Sequence, residues 1–364
     1  MCKDNVGNEI EQGVKKIHPV IEEDICDICE EILPWWKLKG KTILVTGANG
    51  FLASYLVYTL LELNKKYEFD IKINALCRNK QRAEQKFGDA IKDGIITMIY
   101  QDVCDEIADT YKSDIVIHAA SPSTPYIVQK HPYQVFEANV LAYDKLLKKC
   151  REWHTSDVLL FSSSAVYGYE TPLSGVCENY REKVDFTNCK DIYCMSKQML
   201  EMMTESVRKE LDCRFHIVRP FVVYGPGEVY SHKKCMTDFL KNCICEEDIV
   251  MKSAGNVIRS YIYIKDAVKA MFYILLKGDQ KAYNIASEMN ICSIKELAEL
   301  FCSIDGNIQV KCEESTEEYL QSRSRAITGK NDRLKELGWK EETSLEEGLR
   351  RTIRWAERDN FLEM

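Results

Sequence analysis

Short apolar runs alternate with longer segments of helical periodicity from Lys41 to about residue 225. The runs predicted to be strands are KTILVTG, IKINALC, ITMIYQD, DIVIHAA, DVLLFSSS and FHIVRP. Because each run is followed by a stretch long enough for a helix, the pattern favours a parallel sheet with helices on both faces. We therefore predict an α/β fold in which residues 41–225 form a doubly wound parallel sheet.

Two further regions flank this alternation. In residues 1–40, apolar positions from Ile17 to Ile32 recur at helical spacing and end before Pro34. This predicts an N-terminal helical extension that packs on the body of the protein or on a second subunit. Beyond Pro226, ELAELFCSI and SLEEGLRRTIRWAER have the pattern of amphipathic helices. We expect residues 226–358 to form a smaller α/β substrate-binding lobe, with part of 255–285 returning to the first domain and a substrate in the cleft between the two.

Size and charge narrow the classes of partner. The chain has 364 residues, of which 45% are hydrophobic, and a formal net charge of -8 at pH 7. A chain of this size can bury a large core, and its acidic balance argues against nucleic acid as a partner. No apolar run reaches the roughly 20 residues that a membrane-spanning helix needs, and the N-terminus lacks the apolar stretch of a signal peptide. We expect a cytoplasmic protein with no membrane partner.

The 16 cysteines are scattered along the chain, which indicates free thiols in a reducing compartment. Cys26 and Cys29 have the spacing of metal ligands, but neither a second pair nor His ligands lie nearby in the sequence. We interpret both as apolar positions on one helix face and predict no metal site.

A glycine-rich turn follows the first predicted strand. The segment KTILVTGANGFLASY places Gly47, Gly50 and Ala53 between that strand and a helix. Glycine lets the backbone turn tightly and lets a pyrophosphate approach the helix N-terminus, where N–H groups favour anions. Such turns also occur without a ligand, but this position in an alternating fold favours a Rossmann-type dinucleotide site. The predicted cofactor is NAD or NADP.

The end of the second strand bears on the choice of cofactor. The strand lacks the Asp or Glu that would accept hydrogen bonds from the ribose 2′-hydroxyl of NAD. Arg78 follows it instead, and a guanidinium there can hold the 2′-phosphate of NADP, although a solvated basic loop would look the same. We predict a modest preference for NADP. Asp102, at the end of the third strand, is predicted to meet the adenine, with an acidic loop residue as the alternative.

Tyr193 and Lys197 are four residues apart, which on a helix places the ammonium beside the phenol. A free tyrosine titrates near about 10, so a nearby cation and the positive nicotinamide ring would be needed to favour the phenolate at neutral pH. Tyr193 can then take a proton from a hydroxyl group while hydride leaves the carbon for the cofactor. Alone, such a pair also occurs in helices where the tyrosine is packed and the lysine is solvated.

Five motifs follow one another along the chain: TGANGFLA, HAAS, SSSAVYG, YCMSK and RPFVVYGPG. In this order they resemble the extended short-chain dehydrogenase/reductase family of nucleotide-sugar epimerases, dehydratases and decarboxylases. The resemblance runs from about Lys41 to about Arg358 and includes the segment LKELGWKEETSLEEGLRRTIRW. It implies a nucleotide-diphosphate sugar as the substrate.

The resemblance also implies roles for individual residues. Ser163, at the end of the strand DVLLFSSS, would hydrogen-bond the reacting hydroxyl beside Tyr193, and Lys197 would also hold the nicotinamide ribose. Arg259 would pair with the diphosphate of the substrate. The remaining positions implied in cofactor binding are Asn49, Phe51, Leu52, Val103, Ala119, Ala120, Ser121, Asn139, Pro220 (preceded by Arg219) and Val223. The remaining positions implied in substrate binding are Ser121, Ser164 and Val222.

Departures from the family pattern bear on the reaction. Family dehydratases have an Asp-Glu pair directly after the Ser/Thr, and UDP-glucuronate decarboxylases keep the glutamate, but Ser164 and Ala165 stand here. Val222 stands where family members often have a substrate-contacting Asn. The Ser163, Tyr193 and Lys197 set, without these carboxyl groups, suits reversible oxidation and reduction at one carbon. We therefore predict an epimerase. The alternatives are a 4-ketosugar reductase, a 4,6-dehydratase or decarboxylase with an acid from elsewhere in the cleft, and, in a different class, a non-catalytic NAD(P)-sensing protein.

The family commonly dimerises through helices that include the one carrying the tyrosine motif. The segment KQMLEMMTESV is apolar enough for such a contact, although a helix buried in its own subunit would show the same pattern. We expect a homodimer.

Overall fold

The computed structural model describes residues 17–168, 170–181, 188, 191–230, 234–279, 281–313 and 326–358. The strands are β1 (Thr42–Thr46), β2 (Lys72–Cys77), β3 (Ile96–Tyr100), β4 (Ile115–His118), β5 (Asp157–Phe161), β6 (Arg214–Pro220), β7 (Val222–Tyr224), β8 (Ile249–Met251), β9 (Ile258–Tyr263), β10 (Ala282–Ile285), β11 (Ile291–Ser293), β12 (Val310–Cys312) and β13 (Ala326–Ile327). The helices are α1 (Pro19–Cys29), α2 (Phe51–Tyr67), α3 (Lys80–Lys92), α4 (Pro125–Lys130), α5 (Pro132–Phe136), α6 (Ala142–Trp153), α7 (Ile192–Val207), α8 (Cys235–Ile244), α9 (Ile264–Lys277), α10 (Ile294–Asp305), α11 (Asp332–Glu336) and α12 (Leu345–Ala356). Short 3₁₀ turns lie at Trp35–Leu38, Asp109–Tyr111 and Ser164–Tyr167, and a π-helical turn lies at Glu137–Leu141.

Seven strands form one parallel sheet in the order β10-β6-β5-β4-β1-β2-β3. Six of them are the apolar runs predicted from the sequence, and β10 joins the edge beside β6. Every residue of β5 is buried, as expected for a parallel strand covered on both faces. The predicted α/β class and the doubly wound parallel sheet are confirmed.

Helices cover both faces of this sheet. One apolar core packs α1, α2, α9 and α12 on one face and includes Leu56 and Phe272. A second core packs α6 and α7 on the opposite face and includes Trp153 and Leu200. None of the helices in the described ranges is both long and apolar enough to cross a membrane.

The strand order reverses between β1 and β4. The chain runs outward from β1 to β3 on one side of this point and from β4 to β6 on the other. In open α/β sheets, ligands bind in the crevice outside the carboxyl ends of the strands at such a switch point. The fold therefore places a binding crevice at the ends of β1 and β4.

A second sheet lies beside this crevice because the chain passes directly into it from β6. Pro220 ends β6 and Val222 begins β7, which pairs in parallel with β9. β11 and β13 complete this four-stranded sheet, while β8 and β12 pair separately. Since α9 and β10 return to the large sheet, residues beyond 226 contribute to both sheets. The division into domains between residues 225 and 226 stays a prediction.

Helix α1 packs on the body of the protein, against α2, α9 and α12. The buried carboxylate of Asp24 accepts hydrogen bonds from the hydroxyl of Tyr55 at 3.1 Å, the hydroxyl of Tyr263 at 2.8 Å and the guanidinium of Arg351 at 2.7 Å. These bonds join α1 to the helix after the glycine turn, to the second sheet and to α12. Residues 1–16 of the predicted extension lie outside the described residues.

Cys26 and Cys29 do not share a buried face of α1. Cys29 is buried, with its Sγ directed to the carbonyl oxygen of Thr59, whereas Cys26 is exposed. The prediction that both are packed apolar positions was therefore wrong for Cys26. A helical turn takes about 3.6 residues, so two side chains three residues apart do not point in the same direction. On α1 this leaves Cys26 outside the contact with α2.

Candidate active site

The glycine turn joins the end of β1 to the start of α2. Gly47 has a φ of +66°, and a Cβ placed on it would lie 2.9 Å from the Cα of Ala120. Gly50 directly precedes α2, and a Cβ placed on it would lie 2.9 Å from the carbonyl oxygen of Gly47. The bare backbone thus leaves room for a close approach at the N-terminus of a 17-residue helix, where N–H groups favour an anion. This geometry fits the pyrophosphate of a dinucleotide.

Residues 119–121 lie beside the glycine turn because β1 and β4 are neighbours, with Thr46 opposite His118. The Oγ1 of Thr46 lies 2.9 Å from Nδ1 of His118 and accepts a hydrogen bond from the N–H of Ala120 at 3.2 Å. Burial lowers the pKa of His118 to about 3, so its ring is neutral at pH 7. Ala119, Ala120 and Ser121, predicted from the sequence to line the cofactor, are therefore tied to the end of β1.

An ion pair lies at the outer end of the crevice, beyond β2 and β3. Nη1 of Arg78 is 3.2 Å from Oδ2 of Asp102, and the Arg78 side chain is 75% exposed. Burial alone would raise the pKa of Asp102, but hydrogen bonds from Cys104 and the charge of Arg78 hold it below its usual value. The two residues predicted to meet the ribose phosphate and the adenine therefore lie together and neutralise one another.

Asn49 connects this outer end to the glycine turn. Its Nδ2 donates a 3.1 Å hydrogen bond to the carbonyl oxygen of Asn79, which follows Arg78 after β2. Asn79 in turn caps α3 by accepting a hydrogen bond from the N–H of Arg82 at 2.9 Å. The loops after β1 and β2 are therefore held in one arrangement along the crevice.

Ser163 and Tyr193 meet at the carboxyl end of β5. Ser163 caps the 3₁₀ turn Ser164–Tyr167, and its Oγ accepts a hydrogen bond from the N–H of Ala165 at 3.1 Å. Tyr193 lies in the first turn of α7, and interactions with the hydroxyls of Ser163 and Ser121 act to lower the pKa of its phenol. The structure thus brings together three residues predicted from the sequence, next to the glycine turn that Ser121 adjoins.

Lys197 lies one helical turn after Tyr193 and is almost completely buried, with 2% of its surface exposed. Its Nζ donates a 2.7 Å hydrogen bond to the carbonyl oxygen of Phe161 and lies 5.8 Å from the centroid of the Tyr193 ring. Burial lowers the pKa of Lys197 to about 7, against the opposing charge of Glu201. The ammonium therefore flanks the ring of Tyr193 and bonds to the last residue of β5.

The surroundings of the Tyr193 phenol act on its pKa in opposite directions. Burial raises the pKa of Tyr193, and hydrogen bonds from Ser163 and Ser121, together with the charge of Lys234, only partly oppose this rise. The prediction that a nearby cation and the positive nicotinamide ring together favour the phenolate stays a prediction. The charge of Lys234, which directly precedes α8, contributes to lowering this pKa, and no spacing in the sequence relates Lys234 to Tyr193.

Asn139 links Ser121 to the helix that carries Tyr193. It is fully buried in the π-helical turn, where its Oδ1 accepts a 2.8 Å hydrogen bond from Ser121 and its Nδ2 donates one of 2.8 Å to Ser196. Ser196 in turn donates to the carbonyl oxygen of Tyr193 at 2.9 Å. Single π-helical turns often occur at functional sites, and this one joins the loop after β4 to the helix that carries Tyr193.

Glu201 was not predicted from the sequence, and it joins the end of β5 to β6 through hydrogen bonds. It accepts a 2.6 Å hydrogen bond from Ser162 and a 2.8 Å bond from Nε of Arg219. Arg219 also donates from Nη1 to the hydroxyl of Tyr167 at 2.7 Å. A signal was present in the sequence, because Glu201 follows Lys197 by four residues and therefore shares its helix face.

The apolar residues predicted to contact the cofactor are distributed around the crevice. Phe51, Leu52 and Val223 pack with the first core, and Val103 packs with the second. Pro220 ends β6 opposite Ile285 of β10.

Three predicted substrate-binding residues lie after β5 and in the second sheet. Ser164 begins the 3₁₀ turn after Ser163, and Val222 begins β7 opposite Tyr261. Arg259 lies in β9 opposite Cys292, and its Nη1 donates to the carbonyl oxygen of Ile258 at 3.0 Å. Burial lowers the pKa of Arg259, so this guanidinium stands in a partly desolvated position of the second sheet. In the described ranges, no group of three or more His, Cys, Asp or Glu side chains can hold a metal ion.

A glycine turn at the switch point of a parallel sheet, with Ser163, Tyr193 and Lys197 at the neighbouring strand ends, defines a dinucleotide-binding enzyme class. Residues 43–286 match the family described as the NAD dependent epimerase/dehydratase family. The chain belongs to this family, and the resemblance to extended short-chain dehydrogenases/reductases is confirmed.

Three relatives illustrate the range of the family. The chain is 26% identical over 309 residues to UDP-glucuronic acid decarboxylase 5 of Arabidopsis thaliana, covering 84% of this chain and 86% of that protein. It is 25% identical over 346 residues to dTDP-D-glucose 4,6-dehydratase of Homo sapiens, covering 90% and 93%. The crystal structure of UDP-glucose 4-epimerase from Thermus thermophilus in complex with NAD has the same fold, with a TM-score of 0.73, 18% identity, and coverage of 87% and 99%. Their names give three different reactions, so the reaction of this chain has to follow from its own residues.

Proposed function

We propose that this protein is a nucleotide-sugar epimerase that acts by reversible hydride transfer to a tightly bound nicotinamide cofactor, with Tyr193 as the base. The observation that carries the proposal is the arrangement of Tyr193 with the buried Lys197, whose Nζ lies 5.8 Å from the centroid of the Tyr193 ring and bonds to the end of the strand that precedes Ser163. A protein that only senses the cofactor has no need of this convergence, which argues against the non-catalytic alternative.

In this proposal the protein binds the reacting hydroxyl and moves its proton. Ser163 and Tyr193 hydrogen-bond the hydroxyl from one side, and Tyr193 takes its proton when oxidation begins and returns it when reduction ends. A bound nicotinamide cofactor would supply the acceptor for the hydride and the source of its return. Lys197 lies where it can bind the ribose, and Arg259 on the second sheet suits the diphosphate of the sugar nucleotide because its planar guanidinium can make two parallel bonds.

The residues directly after Ser163 favour an epimerase over the reactions of the two curated relatives. Loss of water or of carbon dioxide calls for an acid and a base beyond the tyrosine. The 3₁₀ turn after Ser163 begins with Ser164 and Ala165, neither of which has a carboxyl group. A 4-ketosugar reductase uses the same tyrosine and remains the second candidate, while a dehydratase or decarboxylase would need its acid from another wall of the cleft.

Arg78 is the residue on which the choice between NAD and NADP depends. Its ion pair with Asp102 competes with a 2′-phosphate, but exposed pairs of this kind contribute at most about 1 kcal/mol. A phosphate can therefore displace the carboxylate at small cost. We propose that NADP is accepted with a modest preference, and the NAD bound to the Thermus thermophilus relative indicates that NAD fits the same fold.

We further propose a cytoplasmic homodimer. Helix α7 exposes Met199 and Met202, at 44% and 66% of their surface, three residues apart on one face. Leu141, in the adjoining π-helical turn, is 43% exposed. An apolar patch of this kind suits contact with a second copy. The free thiols of the described cysteines accord with a reducing compartment.

Two measurements on the purified protein test the proposed reaction. Mass spectrometry of the small molecules it retains would identify the cofactor, and incubation with UDP-, GDP-, CDP- and dTDP-sugars would identify the substrate. We expect one pair of epimeric hexoses to interconvert with no net use of cofactor. Net oxidation of added NADPH with a 4-keto sugar, without interconversion, would support the reductase. Release of water or carbon dioxide from the sugar would overturn the epimerase.

A further inference from the structure

A buried carboxylate interrupts the apolar face of α1. The helix packs through apolar side chains such as Ile25 and Ile28, and Asp24 lies among them with none of its surface exposed. Burying a carboxylate is costly unless its charge is paired and its oxygens are hydrogen-bonded. Replacing a buried ion pair by apolar residues is often neutral or stabilising, so attachment of the helix alone does not account for Asp24.

The partners of Asp24 come from three different elements of the fold. Its Oδ2 accepts hydrogen bonds from the hydroxyls of Tyr55 at 3.1 Å and Tyr263 at 2.8 Å. Its Oδ1 accepts one from Nη2 of Arg351 at 2.7 Å, and Nε of Arg351 also donates to the Tyr263 hydroxyl at 3.2 Å. Both tyrosines are fully buried. The four side chains therefore satisfy one another inside the protein.

Tyr263 connects this network to the strand that carries Arg259. It is the last residue of β9, and α9 begins at the next residue, Ile264. Side chains alternate along a strand, so Arg259 and Tyr263 leave the same face of β9, about 13 Å apart. The network thus holds the point at which the second sheet passes into a helix of the large sheet.

Tyr55 connects the same network to the predicted dinucleotide site. It lies in the second turn of α2, the helix that begins directly after Gly50. The packing around Tyr263 leaves little room for movement, because its ring centroid lies 5.7 Å from that of Tyr224. A Cβ on Gly348 of α12 would collide with the Tyr224 hydroxyl and lie 2.9 Å from the ring of Tyr263. A shift of β9 relative to α2 would therefore break hydrogen bonds to the buried carboxylate.

Other charged residues of α1 make contacts of a different kind. Asp27 pairs with Lys265 at 2.9 Å, and Glu31 pairs with Lys269 at 2.7 Å. Both pairs join α1 to α9, and the Asp27 side chain is 51% exposed. Asp27 is thus an acidic residue of the same helix whose ion pair lies at the surface.

We propose that Asp24 is a positioning residue for substrate binding, because it holds the strand that carries Arg259 in a fixed place relative to α2. The inference rests on the proposed function, in which Arg259 binds the diphosphate of the sugar nucleotide. A guanidinium that makes two parallel bonds to a diphosphate is sensitive to small shifts, because both bonds must keep their direction. Loss of Asp24 therefore weakens substrate binding, whereas the glycine turn, which is held by β1 and β4, still retains the cofactor.

The test compares nucleoside diphosphate binding in single and double variants of the protein, purified with its cofactor. UDP, GDP, CDP and dTDP are titrated by calorimetry, and the one that binds most tightly is used throughout. We expect Asp24→Asn to weaken its binding about tenfold and Arg259→Gln to weaken it by about tenfold or more. The double variant should bind no more weakly than Arg259→Gln alone, because Asp24 acts through Arg259. Asp27→Asn is the matched control and should leave binding unchanged.

Tyr55→Phe provides a milder variant in case Asp24→Asn does not fold. It removes one hydroxyl and leaves the pair of Asp24 with Arg351 intact. Because a single neutral hydrogen bond is lost, we expect the same diphosphate to bind about threefold more weakly, and only while Arg259 is present. Mass spectrometry should find the same retained cofactor in every variant.

Three results would overturn the inference while leaving the proposed function in place. They are unchanged diphosphate binding in Asp24→Asn and Tyr55→Phe, losses that add in the double variant, and loss of the cofactor from Asp24→Asn. Unchanged binding in Arg259→Gln is a different failure. It would remove the diphosphate site from the proposed function itself, and the positioning role of Asp24 would fall with it.

Discussion

Glu201 lies one helical turn after Lys197 on α7 and accepts hydrogen bonds from Ser162 at 2.6 Å and from Nε of Arg219 at 2.8 Å. Ser162 directly precedes Ser163, and the charge of Glu201 opposes the burial that lowers the pKa of Lys197 to about 7. One carboxylate therefore supports both the strand end that carries the serine and the protonated state of the lysine.

Replacing Glu201 by Gln should shift the pH profile of activity. Without the carboxylate, the pKa of Lys197 falls below about 7, so the lysine loses its proton at a lower pH. The limb on which activity falls as pH rises should therefore move to lower pH, by about one unit. Glu205→Gln, on the same helix and paired with Arg208, should leave the profile unchanged. An unmoved limb in Glu201→Gln would show that Glu201 does not govern Lys197.

The same substitution should lower stability. Arg219 is 5% exposed and would lose its charged partner, and breaking a buried pair on one side costs about 3 kcal/mol or more. Denaturant unfolding should be measured for both Glu201→Gln and Glu205→Gln. Glu205 belongs to an exposed pair, so we expect its replacement to change the free energy of unfolding by about 0.5 kcal/mol or less. Equal midpoints for the two variants would contradict the buried network.

Gly47→Ala should abolish retention of the cofactor. The added Cβ meets the Cα of Ala120 at 2.9 Å and forces a residue with a side chain into a φ of +66°. Gly94 has nearly the same φ, +70°, but nothing lies within 4 Å of its added Cβ. Gly94→Ala therefore carries the backbone strain of about 1 kcal/mol without the clash, and should retain the cofactor. Retention by Gly47→Ala, measured by mass spectrometry, would argue against a dinucleotide at this turn.

Variants of the ion pair at the outer end of the crevice should change the cofactor preference in opposite directions. Arg78→Gln should weaken NADP by about tenfold while sparing NAD, because a charge-assisted bond to the 2′-phosphate is lost. Asp102→Asn releases Arg78 and should strengthen NADP. Lys80→Gln, which removes a nearby charge paired with Glu84, is the control. Dissociation constants check all three, and NAD bound tenfold more tightly than NADP by the unmodified protein would end the proposed preference.

Met202→Glu should convert the proposed dimer into a monomer. The side chain is 66% exposed on α7, and a carboxylate there would have to be desolvated in an apolar contact. Ile32→Glu places the same charge at a position that is 92% exposed and lies after α1, so it should leave the mass unchanged. Light scattering after size-exclusion chromatography gives the mass directly. A monomer in the unmodified protein, or a dimer that survives Met202→Glu, would contradict the proposed interface.

Patterns that repeat along the chain predicted the large sheet and the glycine turn, because burial on both faces makes the central strands β4 and β5 largely apolar runs and the turn needs glycine at Gly47. The meeting of Ser163 and Tyr193 followed from the family resemblance. The burial around Tyr193 could not be predicted, because spacing on a helix gives neighbours but burial depends on the whole fold.

The most direct test of the account is the Tyr193→Phe variant, which removes the phenol oxygen that acts as the base in the proposed reaction. Loss of a general base typically costs a factor of about 100 to 10,000 in rate. We therefore predict that turnover of the identified sugar nucleotide falls by at least about 100-fold while the cofactor is still retained. Tyr133→Phe, at an exposed tyrosine on α5, should keep full activity. Undiminished turnover in Tyr193→Phe would contradict the central claim that this phenol is the base.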